Sequence, residues 1–139
     1  MSVGPRTLRV WGVGTARTIR AHWMLSELGL EYETREIIPR TESMNDPAFL
    51  KVSARGKVPI LEDGTLVLGE SGAIVSHLAD RYREHGIFAP EPATDARSRC
   101  DELCLYALTE LDAALYVIRR HEGLPHIYGE APTATQAAR

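Results

Sequence analysis

Three short segments of this chain carry side chains and backbone groups able to hold and activate a small ligand. Gly12-Val13-Gly14-Thr15-Ala16-Arg17 offers N–H groups, a hydroxyl and the opening of a helix in one place, a combination that stabilises an anion. Lys57-Val58-Pro59 sets a proline at the start of a strand, approached tightly from a loop, where the peptide bond can be cis. A cis Pro59 would expose the Val58 main chain for pairing with an extended peptide. Glu70-Ser71, at the mouth of a helix, joins a carboxylate suited to an ammonium group with a hydroxyl and amides suited to a carboxylate. Those are the two charges of an amino acid. Arg17 and Lys57 add cations for a second carboxylate.

Taken singly, each segment has an ordinary structural use: Thr15 as a helix N-cap, Val58-Pro59 as a strand start, Ser71 as the cap of a third helix. Their joint occurrence in this order is what points to a site. Gly12-x-Gly14 after a strand is also how a dinucleotide-binding loop begins, but Arg17 stands where its third glycine belongs. His22 and His77 fall on helical patterns and read as surface or boundary residues. Cys100 and Cys104 lack the C-x-x-C spacing and have no His pair to complete a site, so they read as small buried apolar side chains and no metal is expected.

The elements that must position these groups follow from the hydrophobic pattern. Residues 8–13 form a short apolar run, a first strand. Residues 15–28 carry Ile19, Trp23, Met24 and Leu28 near a helical period, and Gly29 stands where the helix should stop. Residues 31–38 read as a second strand parallel to the first, followed by a polar loop at 39–45 and a short helix from Asp46-Pro47. Residues 58–62 and 65–68 flank Asp63-Gly64 as an antiparallel hairpin, and Ile74, Val75, Leu78, Ala79 and Tyr82 mark an amphipathic third helix. The order β-α-β-α-β-β-α predicts an α/β, thioredoxin-like domain over residues 1–84 with a mixed four-stranded sheet. Pro90 and Pro92 then mark a linker. From 95 to 121 an apolar stripe of Cys100, Cys104, Ala107, Leu111, Ala114 and Ile118, widened by Leu103, Leu108 and Leu115, predicts one long helix opening an all-α domain at 93–139. This stripe is too broad for the first domain to cover alone, so partner helices or a second chain are expected. The last residues, 132–139, read as a helix stopping after two turns, which suggests a truncated chain.

Composition removes several classes of function. Sixteen Lys and Arg against nineteen Asp and Glu, with the signs interspersed, leave no basic field for nucleic acid. No apolar run approaches the roughly 18 residues of a membrane span, and residues 1–6 lack the apolar stretch of a signal peptide. With only two cysteines in 139 residues, a reducing, cytoplasmic setting is expected.

Trp11-Gly12, Arg20-Ala21-His22-Trp23, the run from Glu27 to Glu33, Gly56-Lys57-Val58-Pro59-Ile60-Leu61, Asp63-Gly64 and Glu70-Ser71-Gly72-Ala73-Ile74 together resemble, in order, the N-terminal domain of the cytosolic glutathione transferase superfamily, its bacterial members in particular. The helix from Asp95, with Glu110-Leu111-Asp112, is similar to the first long helix of the family's C-terminal domain. The resemblance implies glutathione as co-substrate, with no other cofactor. Ser71 and the helix opening would take the γ-glutamyl carboxylate, Glu70 the α-amino group, Val58 the cysteinyl backbone and Lys57 the glycyl carboxylate, and cis Pro59 would set the geometry. It also implies a homodimer working in detoxification, with the thiolate attacking a small electrophile. Related bacterial sequences carry Ser immediately before the Arg of the first loop; here that place is Ala16, and Thr15 is the best remaining hydroxyl donor. That departure keeps open a second reading, a non-catalytic glutathione-binding or interaction module. Thioredoxin-type redox chemistry is disfavoured because no cysteine lies at the first helix.

Overall fold

A computed structural model describes residues 6–139. The chain divides into two compact units, one ending at Ala89 and the other running Pro90–Arg139. In the first unit the order is β1 (Leu8–Trp11), α1 (Ala16–Glu27), β2 (Glu33–Arg35), a single 3-10 turn (Glu42–Asn45), α2 (Pro47–Val52), β3 (Ile60–Asp63), β4 (Leu66–Gly69) and α3 (Ser71–Arg81). The strands lie in the order β2-β1-β3-β4, with β1 and β2 parallel and the other pairs antiparallel. This is the thioredoxin-like, mixed four-stranded α/β architecture expected from the order of the apolar runs.

Alternation along β1 divides the core. Leu8 and Val10 point to one face, where with Leu61 they meet Met24 and Leu25 of α1, its C-cap Leu28, and Ile74 and Leu78 of α3. Trp11 points to the other, with Ile60, Ile37 and the fully buried Phe49 of α2. Arg9 shares that second face and fixes the register across three strands. Its Nε donates to Glu33 at 2.7 Å and its Nη1 to Glu62 at 2.9 Å, and both carboxylates belong to its direct cross-strand partners. Trp11 Nε1 donates to the same Glu62 oxygen at 2.6 Å.

Asp63 closes β3 instead of sitting in the turn. The hairpin loop is Gly64-Thr65, with Gly64 at φ 63°, and Asp63 pairs with Leu66. Its carboxylate is fully buried and accepts from Tyr82 Oη at 2.9 Å, with His77 Nε2 at 2.8 Å and Arg6 Nη1 at 3.4 Å. Burial alone would raise the Asp63 carboxyl, but the hydrogen bonds of His77 and Tyr82 and the charge of Arg6 outweigh it and hold the group below its ordinary value. Burial and the same carboxylate push the Tyr82 phenol up to about 12. Because that folded value lies above the ordinary 10.0, the contribution is complete below pH 10 and is lost as the pH climbs towards 12. The melting temperature should therefore fall across that alkaline window, and Tyr82→Phe should flatten the fall; an unchanged alkaline slope would count against the Tyr82–Asp63 bond.

Several expectations are corrected in detail. The second strand is only three residues long, because the backbone folds tightly at Glu36, where Ile37 N–H donates to Arg35 O at 2.9 Å. The Glu42–Asn45 turn forms where a polar loop was expected: Thr41 caps it by accepting from the Ser43 amide. Ser71 is the first residue of α3 and not its cap; Glu70 holds the cap position without a capping bond from its side chain. The residues at 95–121 do not form one regular α-helix. α4 (Asp95–Tyr106) passes into a π-helical segment (Ala107–Asp112), then α5 (Ala113–Ile118) and a second π segment (Arg119–Gly123). Each i→i+5 step widens the turn and rotates the apolar stripe away from the regular 3.6 period. A one-turn helix, α6 (Pro125–Tyr128), replaces part of the expected loop and precedes α7 (Pro132–Ala137). No residue of α4 or α5 is buried within this chain, and Leu103, Leu111 and Leu115 are exposed. Cys104 is exposed and Cys100 half-buried, contrary to the burial expected of both, because α4 buries none of its residues within this chain.

Candidate functional site

A cleft of about 360 Å³ opens at the carboxyl end of β1, between the loop that carries Pro59 and the corner joining β4 to α3. It is lined by Arg17, Arg55, Lys57, Val58, Glu70 and Ser71, among others, and its volume falls at the low end of small-ligand sites. The sequence-predicted residues Arg17, Lys57, Val58, Pro59, Glu70 and Ser71 are thus gathered in one place, while Thr15 and Ala16 are not part of the lining.

The wall around Pro59 is built by Ser53. Its buried hydroxyl accepts from the Lys57 amide at 2.9 Å and donates to the Lys57 carbonyl at 2.9 Å, stapling residues 53–57 into a tight loop. The Val58–Pro59 peptide bond is cis. Among the described residues no hydrogen bond occupies the Val58 backbone, so its N–H and C=O remain as donor and acceptor for an extended ligand. Opposite lies Gly12, at φ +111°, and a Cβ added there would sit 2.5 Å from Val58 Cβ. The close approach of the two loops requires glycine.

The facing wall starts at Glu70, whose backbone adopts φ 65°, ψ 115°, a conformation costly for any residue but glycine. Such conformations persist where the surroundings impose them, commonly at binding sites. Its carboxylate is exposed and meets Arg55 Nη2 at 3.0 Å across the cleft. Glu70→Gly should be about 1 kcal/mol more stable than Glu70→Ala, because only alanine retains the backbone strain. Paired thermal melts check this, and equal stabilities would show that the site does not store strain at this residue. Ser71 is buried, and its Oγ accepts from Arg20 Nη1 at 3.1 Å. With that lone pair engaged, the hydroxyl proton and the α3 amides are left to meet an anion.

At the α1 opening several of the amides counted from the sequence are already spent. Gly12 N–H bonds Arg35 O at 2.9 Å, Val13 N–H bonds Ile37 O at 3.1 Å, and Thr15 N–H bonds Thr18 Oγ1 at 3.0 Å, leaving Gly14 and Ala16. Thr15 caps α1: its Oγ1 accepts from Thr18 N–H at 3.1 Å and lies 3.2 Å from Thr18 Oγ1, which itself donates to Thr15 O at 2.9 Å. The capping box survives if the Thr15 proton turns outward, since Thr18 Oγ1 keeps its other partners. Thr18 is buried and cannot take that part. His22 is half-buried and spans Gly12 O and Tyr32 Oη, at 2.9 Å each, so it braces the glycine loop.

Arg20, Ser53, Arg55 and the bracing role of His22 were not read from the sequence. Arg20 had one available signal, its place one helical turn beyond Arg17 on the same side of α1. The others depend on contacts that only the closed loops create.

The family follows from this fold. Residues 6–80, more than half of the chain, match the family model described as Glutathione S-transferase, N-terminal domain, and the chain belongs to that family, within the cytosolic glutathione transferase superfamily. It is 37% identical over 93 residues to the glutathione S-transferase-like protein gedE of Aspergillus terreus, which takes in 65% of this chain and 40% of that protein. With glutathione S-transferase 3 of Schizosaccharomyces pombe it shares 39% identity over 67 residues, 48% of this chain and 27% of that one. The chain therefore spans less than half the length of these curated relatives. Among solved structures, the theta class glutathione S-transferase from Xanthomonas axonopodis pv. citri with glutathione bound superposes with a TM-score of 0.73 at 26% identity, over 96% of this chain and 64% of that one. The glutathione transferase URE2P8 from Phanerochaete chrysosporium, at a TM-score of 0.81 and 20% identity over 99% and 63% of the two chains, shares the fold.

Proposed function

We propose that this chain binds glutathione in the cleft between Val58 and Ser71 and, as a glutathione transferase, promotes attack of its thiolate on a small electrophile. The observation that carries the reading is the convergence, on one cleft, of a backbone pair at Val58, a carboxylate at Glu70 and a buried hydroxyl at Ser71 backed by Arg20. Ser71 and the α3 amides take the γ-glutamyl carboxylate, Glu70 the α-ammonium group and the Val58 backbone the cysteinyl unit. Lys57 and Arg17 supply charge for the carboxylates. Arg55, now paired with Glu70, shares that carboxylate with the incoming ammonium. Glutathione is the co-substrate, and the reading calls for no other cofactor.

Catalysis requires thiolate. A free thiol has a pKa of about 8.5, and each unit of lowering corresponds to about 1.4 kcal/mol. Thr15 is the donor in this reading: its hydroxyl turns from Thr18 to the sulfur while still accepting the Thr18 amide. Thr15→Ser should keep turnover, and Thr15→Ala should lose about ten- to thirtyfold at neutral pH, in proportion to the lost thiolate. Loss in both variants would reject the hydroxyl as donor. A second reading, a glutathione-binding module without turnover, is favoured by Ala16, which offers no donor, and by the engagement of Thr15 in the cap.

Calorimetry with glutathione, beside conjugation of a generic aryl halide, separates the two. Binding with turnover supports the enzyme, binding alone the module, and no binding removes both. Ser71→Ala should weaken glutathione by about 1–3 kcal/mol. The exposed leucines of α4 and α5 support self-association as a homodimer, which sedimentation would contradict by showing a monomer. No described helix is long and apolar enough to cross a membrane. The same reading assigns the protein to detoxification in the cytoplasm, where reduced cysteines are the norm.

A further inference from the structure

Cys100 and Cys104 are the reactive side chains that the cleft leaves unused. They sit four residues apart inside α4, so both thiols leave one face of the helix with Cβ atoms about 5–6 Å apart. Neither forms a disulfide; Cys104 is exposed and Cys100 is half-buried. Two reachable thiols one turn apart on the same face of a helix are placed to chelate. From this geometry we infer that Cys100 and Cys104 form a dithiol site for a monosubstituted trivalent arsenical.

The ligand class follows from softness and from count. Thiolate sulfur prefers soft acceptors. A structural zinc needs four ligands, and among the described residues no group of three or more His, Cys, Asp or Glu could hold a metal ion. Trivalent arsenic with one carbon substituent has two exchangeable positions, which two thiols fill. In the reaction with an organoarsenic oxide, two As–S bonds form and the As–O bonds break. The oxygen leaves as water carrying both thiol protons, and arsenic stays trivalent, so nothing is oxidised or reduced. Burial, then the neighbouring Cys100, pushes the Cys104 thiol up. Cys104 is consequently a poor target for reagents that need thiolate. The chelate closes over one helical turn and leaves the backbone ladder of α4 undisturbed.

Phenylarsine oxide added to the intact, reduced chain is the direct probe. One equivalent should consume both titratable thiols and add one arsenical by mass, with helical circular dichroism retained. This adduct should withstand millimolar 2-mercaptoethanol and be reversed by dithiothreitol. Cys100→Ala and Cys104→Ala should each bind at least tenfold more weakly in the monothiol. Two arsenicals per chain, adduct formation undiminished in a single variant, or no adduct at all would overturn the assignment. No cleft residue takes part, so this outcome is independent of glutathione binding.

Discussion

Gly12→Ala is expected to abolish measurable glutathione binding and to destabilise the first unit by about 3–4 kcal/mol. Two costs combine. Position 12 sits at φ +111°, which alanine adopts only under strain of order 1–3 kcal/mol. The new methyl would also meet Val58 Cβ at 2.5 Å, Val58 Cγ1 at 2.7 Å and Thr18 Cγ2 at 3.1 Å. Overpacking of that kind costs about 1–3 kcal/mol, and here the shift it forces moves the backbone proposed to pair with the ligand. Gly14→Ala is the control. It too has positive φ, +79°, but nothing lies within 4 Å of the added carbon, so it should show the conformational cost without displacing Val58. Urea midpoints and calorimetry on the two variants distinguish the terms. If both lose the same stability and the same affinity, contact with Val58 is not what glycine provides.

Asp63→Asn should cost about 3 kcal/mol of stability while leaving the cleft residues untouched. The carboxylate is fully buried beneath the hairpin and serves Tyr82, His77 and Arg6 together. An amide keeps the shape but places an N–H₂ where an acceptor is needed, and it removes the charge that faces Arg6. The pH dependence gives the signature. Because the Asp63 carboxyl is held below its ordinary value, its contribution is present above the unfolded pKa near 4 and disappears as the pH falls through the folded one. The wild type should therefore lose stability on acidification more steeply than Asp63→Asn, and the two curves should converge at low pH. Parallel curves would mean that the charge on Asp63 contributes nothing.

The parts of this molecule written as local pattern were legible in the sequence. The apolar runs at Leu8, Ile60 and Leu66, the helical period from Ile19 to Leu28 and the glycine near the hairpin turn each depend on neighbours a few residues away, and they suffice for the element order. The residues gathered at the cleft were legible for a related reason: a loop before a helix, a proline before a strand and a cap before another helix all end on the same edge of such a sheet. What escaped notice joins distant positions. Arg20 and Ser71 are 51 residues apart, Arg6 and Asp63 57, and nothing in the spacing of either pair announces its contact. Competition for hydrogen bonds escaped as well. Thr15 was visible as a hydroxyl, but its involvement with both polar groups of Thr18 depends on how the first turn of α1 closes. The π segments within the long helix were hidden because a widened turn changes the period without changing the kind of residue. The exposure of Cys104 was misread because an apolar stripe says that a face should be covered and leaves open whether this chain supplies the cover.

Amide chemical shifts recorded while glutathione is added test the proposed site most directly. Saturable shifts are expected at Val58, Glu70, Ser71 and the amides opening α3, with a matching response at Lys57, all diminished in Ser71→Ala. Shifts that miss both walls of the cleft, or none at millimolar glutathione, would contradict that site.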